Sequence, residues 1–348
     1  MYAGMVIREL LAIASLAAIP ALISCGSSAR QPGEPERVLP DHKVAEKSSD
    51  IEFSMETTVG PGSEAQVCRL VQVPSDRGDI AVPSAESHFT AGSHHFLAYR
   101  TSMTSMPDGG GDVVDCLATS APFVTGSYFE SQQPDMTHTL PSGIAHVFKP
   151  GEVMVLQAHY LNTTTAFINA KISFKLHTMD PAEVQHEAGT ILFSNFRLKV
   201  PPLSKVTQTE TCPVSSTNDM NVLLLWSHMH SRAVHFVATT DDGALSGAPL
   251  YETDEWSEPQ PRIFDGDSPT TVHIGSHITF SCDYDNPTNS TFVYGPSAQA
   301  NEMCILHGMY WPRVDSLTEF CFGGVVPTSP SGVDGGAVPE GDAGAPAR

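Results

Sequence analysis

The chain has 348 residues, enough to bury two cores or one large one, with 27 Gly, 27 Pro and few helix-period stretches. Its net charge of −21 comes from 18 Lys+Arg against 39 Asp+Glu. That balance argues against nucleic acid as a partner and against electrostatic docking on an anionic membrane surface.

The chain begins with one Arg in residues 1–9, then an apolar run at 10–23 (LLAIASLAAIPALI) that ends in LISC at Cys25. The run is short for a membrane span and has signal-peptide proportions. A small or apolar triplet ending in Cys resembles a bacterial lipobox, so residues 1–25 are expected to be a lipoprotein signal with Cys25 acylated. Gly26 follows, so inner-membrane retention is not signalled. The expected location is outside the cytoplasm, lipid-anchored to an outer bacterial membrane and facing periplasm or medium. Removing Cys25 from seven cysteines leaves an even set at 68, 116, 212, 282, 304 and 321. In an oxidising compartment that set reads as three disulfides. None is spaced CxxC, which removes zinc ribbons and thioredoxin-like motifs.

Residues 26–50 are polar and Pro-containing, a flexible tether, and residues 325–348 are a Gly/Pro/Ala-rich tail expected to be disordered. Between them run short β-like segments punctuated by PDGGGD, KPGE, DDG and DNPTN, which fit antiparallel connections. The spacing reads as all-β, one or two sandwiches. The Pro turn in HTMDPAEVQ (177–185) is the best boundary, giving domains at 51–180 and 181–324. No internal repeat is legible.

Histidines stand where a packed core would exclude imidazole. In AGSHHFLAYR, His94 and His95 are neighbours, and on a regular strand they would face opposite ways. Both can reach one metal only where the backbone kinks or ends, which Gly92 and Ser93 permit. His159 ends the apolar run VMVLQAH. In LLLWSHMHSR, His228 and His230 are two apart and share a strand face, a ligand pair for zinc, copper or iron. Met303 in NEMCILHGMY reads as a core methionine unless a metal is near, when its soft thioether favours Cu(I).

Four of these segments resemble the copper type II ascorbate-dependent monooxygenases, the family of peptidylglycine α-hydroxylating monooxygenase and dopamine β-monooxygenase. SHHFLAYR is similar to the family's His-His-Met segment, with Phe96 in place of Met. LPSGIAHVF with EVMVLQAHYLN, WSHMHSR and NEMCILHGMY are similar to its later segments, in order, over about residues 51–323. The resemblance implies two jelly-roll-type antiparallel β-sandwich domains in tandem, with two copper ions separated by a solvent-filled cleft; the chain is expected to be a monomer. His94, His95 and His159 would hold the electron-transfer copper. His228, His230 and Met303 would hold the copper that meets O2 and substrate. Implied disulfides are Cys68–Cys116, Cys212–Cys321 and Cys282–Cys304. Thr101 stands near a cysteine that more heavily bridged members carry, so the first domain should be less stapled.

The implied reaction is hydroxylation of a substrate C–H bond with O2 and ascorbate or another one-electron reductant. Gln157 matches the family and is a candidate for ordering water or substrate between the coppers. The peptide-amidating members hold a substrate carboxylate with an Arg where this chain has Trp226; losing a guanidinium removes that bidentate grip. Trp226 and Ile305 point to a more apolar substrate pocket, and His307 is either a substrate hydrogen-bonder or a structural histidine. His235, His273 and His277 read as strand or loop residues outside the ligand set. The other readings are a noncatalytic copper-binding surface lipoprotein and an acidic adhesion module with incidental histidines.

Overall fold

The computed structural model describes residues 50–90, 93–108, 110–116, 124–214, 217–264, 269–314 and 320–322. The signal segment with Cys25, nearly all of the tether, and the tail lie outside them. The regular elements of the described residues are all strands except one 3-10 turn at Pro181–Glu183, where the Asp180 carboxylate accepts from the Ala182 amide at 2.9 Å.

The first half contributes β1 (Ile51–Val59), β2 (Glu64–Gln72), β3 (Ile80–Phe89), β4 (Ser93–Thr101) and β5 (Val113–Asp115). It continues with β6 (Val124–Ser131), β7 (Asp135–Thr139), β8 (Ile144–Phe148), β9 (Val153–Leu161) and β10 (Ile168–Met179). The second half opens with β11 (His186–Glu187), β12 (Gly189–Ser194), β13 (Lys199–Val200), β14 (Ser204–Pro213), β15 (Met220–Met229) and β16 (Ala233–Thr240). It closes with β17 (Tyr251–Thr253), β18 (Arg262–Ile263), β19 (Thr270–Val272), β20 (His277–Asn286), β21 (Phe292–Val293), β22 (Cys304–Trp311) and β23 (Phe320–Phe322).

Each half is a pair of mainly antiparallel sheets. In the first, β1-β10-β3-β8-β11, with β7 beside β3, faces β5-β2-β9-β4-β6. In the second, β18-β15-β22-β12-β23, with β19 beside β15, faces β14-β20-β16-β17. The fold is thus all-β, two sandwiches in tandem, with a core in each. Met55, Phe96, Phe129, Phe148, Tyr160 and Phe174 dominate the first core. Phe193, Leu225, Phe236, Phe280, Tyr284 and Tyr310 dominate the second.

Strand β20 shows why these sequences pleat this way. Ile278, Phe280, Cys282 and Tyr284 are buried, while His277, Thr279, Ser281 and Asp283 alternate outward. The outward side chains bond to β14 in cross-strand pairs, Thr211 to Thr279 and Thr209 to Ser281, both at 2.9 Å. Strands β15 and β22 differ, because nearly every residue on both is buried. One face closes the second core, and the other is covered in turn, so their sequences are apolar runs without alternation.

The halves are continuous. Short strand β11 runs parallel to β8 of the first half, and Leu140 and Ile144 pack into the second core. Disulfides join Cys68–Cys116, Cys212–Cys321 and Cys282–Cys304, the pairing that the resemblance implied. One bridge lies in the first half and two in the second.

Candidate metal centre

A β-bulge solves the problem of the adjacent histidines. Strand β4 pairs with β9 at Ser93↔Tyr160 and then at His95↔His159, so His94 is the extra residue. A bulge leaves two residues opposite one and bends the strand, which lets neighbours turn toward the same space. Phe96, next along, faces inward and is fully buried against Phe174 at 5.2 Å between ring centroids. It fills core where the family pattern has Met.

On β9, Gln157 and His159 share the face opposite that core. From the second half, β15 delivers Trp226 and His228 on one face, and His230 follows directly after the strand. Five imidazoles thereby meet. His94, His95 and His159 have ring centroids 4.9–5.2 Å apart. His94 lies 5.5 Å from His228 and 5.4 Å from His230, and His95 lies 5.0 Å from His228. Ligand atoms of His94, His95 and His159 fall within 4.8 Å of one another, and so do those of His94, His228 and His230.

This corrects one expectation. The two histidine sets are not parted by a solvent-filled cleft; they share a buried centre, with His95, His159, His228 and His230 no more than 3% exposed. The reason is that the outer face of β4–β9 and the end of β15 are pressed together, each covering the other's polar ring faces.

The nitrogens divide into two classes. Pointing away from the centre, His159 Nε2 meets Glu64 Oε1 at 2.6 Å, His228 Nδ1 meets Gln132 Oε1 at 3.0 Å, and His230 Nδ1 meets the Asn301 carbonyl at 3.1 Å. Five others, His94 Nε2, His95 Nδ1, His159 Nδ1, His228 Nε2 and His230 Nε2, are buried without a hydrogen-bond partner. An orphaned buried polar atom costs about 1–3 kcal/mol. A ring whose outer N–H is held by an acceptor presents its other lone pair, the arrangement of metal-bound histidine. The donor set therefore fits a transition-metal ion.

Electrostatics agrees. Burial, reinforced by His159 and His230, lowers His94 to about 3, and burial lowers His230 to about 4 against the pull of the Asn301 carbonyl. His95 and His228 are held well below the ordinary histidine range by burial and by the other imidazoles. Burial also lowers His159, opposed by its bond to Glu64. Neutral imidazoles are the metal-binding form. Burial resists ionisation of Glu64, but hydrogen bonds from Ser297, His159 and Ala298 outweigh it and hold its carboxyl low.

Met303 is half-buried and directly precedes β22. Its segment is tied to the centre from both sides: Asn301 accepts from His230, and the Met303 carbonyl accepts from Tyr284 Oη at 2.8 Å. Glu302 between them is fully buried and bonds Arg232 Nη1 at 3.0 Å, which joins the turn after His230 to the methionine segment. The Cys282–Cys304 bridge anchors the next residue.

The residues considered for substrate fall differently from expectation. Gln157 is half-buried, paired with Cys68 on one side and Leu97 on the other. Trp226, Ile305 and His307 are all buried. Trp226 lies between two imidazoles, stacked on His138 at 5.1 Å and on His307 at 5.4 Å. The second stack follows from register, since Trp226 and His307 are direct cross-strand partners. Buried Glu130 reaches His307 Nε2 at 2.6 Å, out of hydrogen-bond line, and His228 Nδ1 at 3.6 Å. Trp226 thus belongs to the second core while carrying an imidazole on each side. His235, His273 and His277 pair with Asp254, Asp242 and Asp241 at 2.6–2.9 Å, away from the centre.

Glu64, Glu130, Gln132 and His138 were not singled out from sequence. Glu64 sits diagonally from His159 across β2–β9, because Gln66 is the direct partner of His159 and Glu64 that of Leu161. That proximity exists only once register is known.

Residues 186–329 match the family model described as copper type II ascorbate-dependent monooxygenase, C-terminal domain. No curated protein matches. Among solved structures, the chain is similar to the STIV MCP (7% identity, TM-score 0.29, covering 76% of this chain and 97% of that one). It is also similar to the major capsid protein P2 from Bacteriophage PM2 (6% identity, TM-score 0.33, covering 77% and 100%). Likenesses that loose carry no argument about this chain. The matched segment contains His228, His230, Met303 and both bridges of the second half, so the second half is similar to the C-terminal domain of the copper type II ascorbate-dependent monooxygenases.

Proposed function

We propose that the chain is a copper-dependent monooxygenase that hydroxylates a C–H bond of a small organic substrate, using O2 and ascorbate or another one-electron reductant. The observation that carries this reading is the buried cluster of five imidazoles with unpartnered nitrogens turned to one centre. His94, His95 and His159 would hold one copper; His228, His230 and Met303 would hold a second. Bound copper supplies one-electron chemistry and an open position for O2, and a thioether beside imidazoles favours its reduced state.

The chain's own residues do the rest. Burial keeps every ligand imidazole neutral, so the site is ready to bind metal at neutral pH. Glu64, Gln132 and the Asn301 carbonyl fix which nitrogen of His159, His228 and His230 faces inward. The β4 bulge aims His94 and His95 together. Trp226 replaces a guanidinium, so the substrate is not a carboxylate held by a bidentate arginine grip, and peptidylglycine is excluded from the proposal.

The second reading is a copper-binding protein that sequesters or relays the metal. The specific observation in its favour is the His138–Trp226–His307 stack, which packs side chains where a substrate grip would stand. Export and lipid anchoring through Cys25 belong to either reading; Cys25→Ser should move the protein from membrane to soluble fractions.

One experiment separates the readings. The mature protein is loaded with copper, given ascorbate, and tested for oxygen consumption over a panel of small C–H substrates, alongside Met303→Ala. Substrate-stimulated turnover lowered at least about 100-fold in Met303→Ala is the result expected of the enzyme. Two coppers per chain with no such turnover assigns the protein to metal handling, and one copper or none overturns the paired site.

A further inference from the structure

Two side chains outside the ligand set do something that neither half could do alone. Glu64, at the start of β2 in the first half, holds His159 Nε2 with Oε1 at 2.6 Å. The same carboxylate accepts from two groups of the second half, Ser297 Oγ at 2.9 Å and the Ala298 amide at 3.0 Å. Gln132, just after β6 in the first half, reaches across in the other sense. Its Oε1 accepts from His228 Nδ1 at 3.0 Å, and its Nε2 donates to the carbonyls of Trp256 and Ser257 at 3.1 and 3.3 Å. Gln132 is buried, and Glu64 is largely covered.

We propose that Glu64 and Gln132 are cross-half positioning residues: each orients one histidine of the centre while gripping the opposite half, so that closing the two halves and aiming the ligands are one event. The chemistry supports this division. A carboxylate can accept several hydrogen bonds at once, so Glu64 serves His159, Ser297 and Ala298 together. A carboxamide both accepts and donates, which Gln132 needs to hold an imidazole N–H and two carbonyls. The Glu64 grip lands on Ser297 and Ala298, in the same loop as Asn301, whose carbonyl holds His230, and Met303. Glu64 therefore links a histidine of the first set to the segment that presents ligands of the second. Partners of metal-bound histidine typically change affinity or activity by about 10–100-fold when removed. Here the loss should also appear as separation of the two half-sites.

The proposal rests on the two-site reading above, so it is tested with and without copper. With two Cu(II) per chain, apposed half-sites should give dipolar-broadened electron paramagnetic resonance with a half-field transition. The double variant Glu64→Ala/Gln132→Ala should keep two coppers but show isolated signals. Glu64→Gln, which can still accept from Ala298 and His159, should retain the coupling. Coupling unchanged in the double variant, or absent from the wild type at two coppers, overturns the proposal. In the copper-free chain, hydrogen exchange at the Ala298 amide reads the same closure. Gln132→Ala, which does not touch Ala298, should speed that exchange roughly tenfold while β14 amides stay protected. Exchange at Ala298 unaffected by Gln132→Ala overturns the proposal even if no copper binds. Fewer than two coppers with the exchange result intact instead sinks the two-site reading and leaves the brace standing.

Discussion

The two halves of the molecule are built on one plan and hold their histidines by different means. Both are two-sheet sandwiches, and each has an ion pair in which a well-covered arginine meets a buried carboxylate, Arg100–Glu152 in the first and Arg232–Glu302 in the second. Each also ends a central strand with the same device. Asn162 after β9 donates to the carbonyls of Val59, Gly60 and Ala166 and accepts from the Thr164 amide and hydroxyl. Asn286 at the end of β20 donates to Pro201 and Ser290 carbonyls and accepts from the Thr288 amide and hydroxyl. The first half then aims its histidines with a bulge and a side-chain carboxylate and carries one disulfide. The second aims His230 with a backbone carbonyl, anchors its methionine segment with the Cys282–Cys304 bridge and carries a further bridge at Cys212–Cys321. The first site is set by side chains of its own half and of the loop it grips, while the second combines a main-chain carbonyl, a covalent bond and the Gln132 side chain lent by the first half, and the family match falls on the second.

The largest test of that difference is covalent. Replacing Cys212 and Cys321 by Ala opens a loop spanning 109 residues and should cost about 5 kcal/mol in the chain-entropy account; for Cys68 and Cys116, spanning 48, the figure is about 4 kcal/mol. Urea unfolding of each double variant gives the values. An equal or larger loss in the first half would break the contrast.

Next come the ion pairs. Arg100 donates to both Glu152 oxygens at 2.7 and 2.8 Å, with both side chains 8% exposed. Glu152→Ala strands a buried guanidinium and should cost about 3–5 kcal/mol. Arg232 is more exposed and also rests on the Phe292 ring at 3.6 Å, so Glu302→Ala should cost less, about 1–3 kcal/mol. Unfolding midpoints of the two variants at one pH decide the order.

A smaller effect is pH-dependent. Burial lowers His138 to about 4, against the pull of the Glu130 carbonyl at 3.0 Å. The unfolded chain protonates this histidine near pH 6.5 while the folded chain does not. Stability is therefore full above about pH 6.5 and falls as pH drops toward about 4, by up to about 3 kcal/mol for this group. His138→Phe should flatten that part of the profile, measured as unfolding free energy from pH 7.5 to 4. A profile unchanged by the substitution would remove His138 from the account. Smallest is Trp226→Leu, which loses its stacks on His138 and His307 and should cost about 2 kcal/mol. A change in the thermal midpoint, with copper content unaltered, would separate this packing role from ligation.

Much of the site was legible beforehand. His228 and His230 stand two apart after an apolar run, a spacing that on a strand turns both to one face, and the structure brings both rings into the cluster. The kink demanded by His94–His95 was legible too, and it is the bulge at Ser93/His95. The missing cleft was not legible, because whether the outer faces of two sandwiches touch is decided by residues scattered over β6, β11, β12 and β15. Nor was the stack of Trp226 on His138, a residue of the first half. The Asn162 and Asn286 devices show kinship between halves that no sequence period displays, since it lies in hydrogen bonds around otherwise dissimilar residues.

Sequence alone named the histidines and methionine offered to a metal, the all-β class and six cysteines to pair, because these depend on chemistry and on spacing within a strand. Only the folded chain decided that five imidazoles share one buried centre, and that Glu64 and Gln132 hold them across the halves. Those facts depend on strand register and on the packing of two sandwiches, and both are set by contacts between residues far apart in the chain.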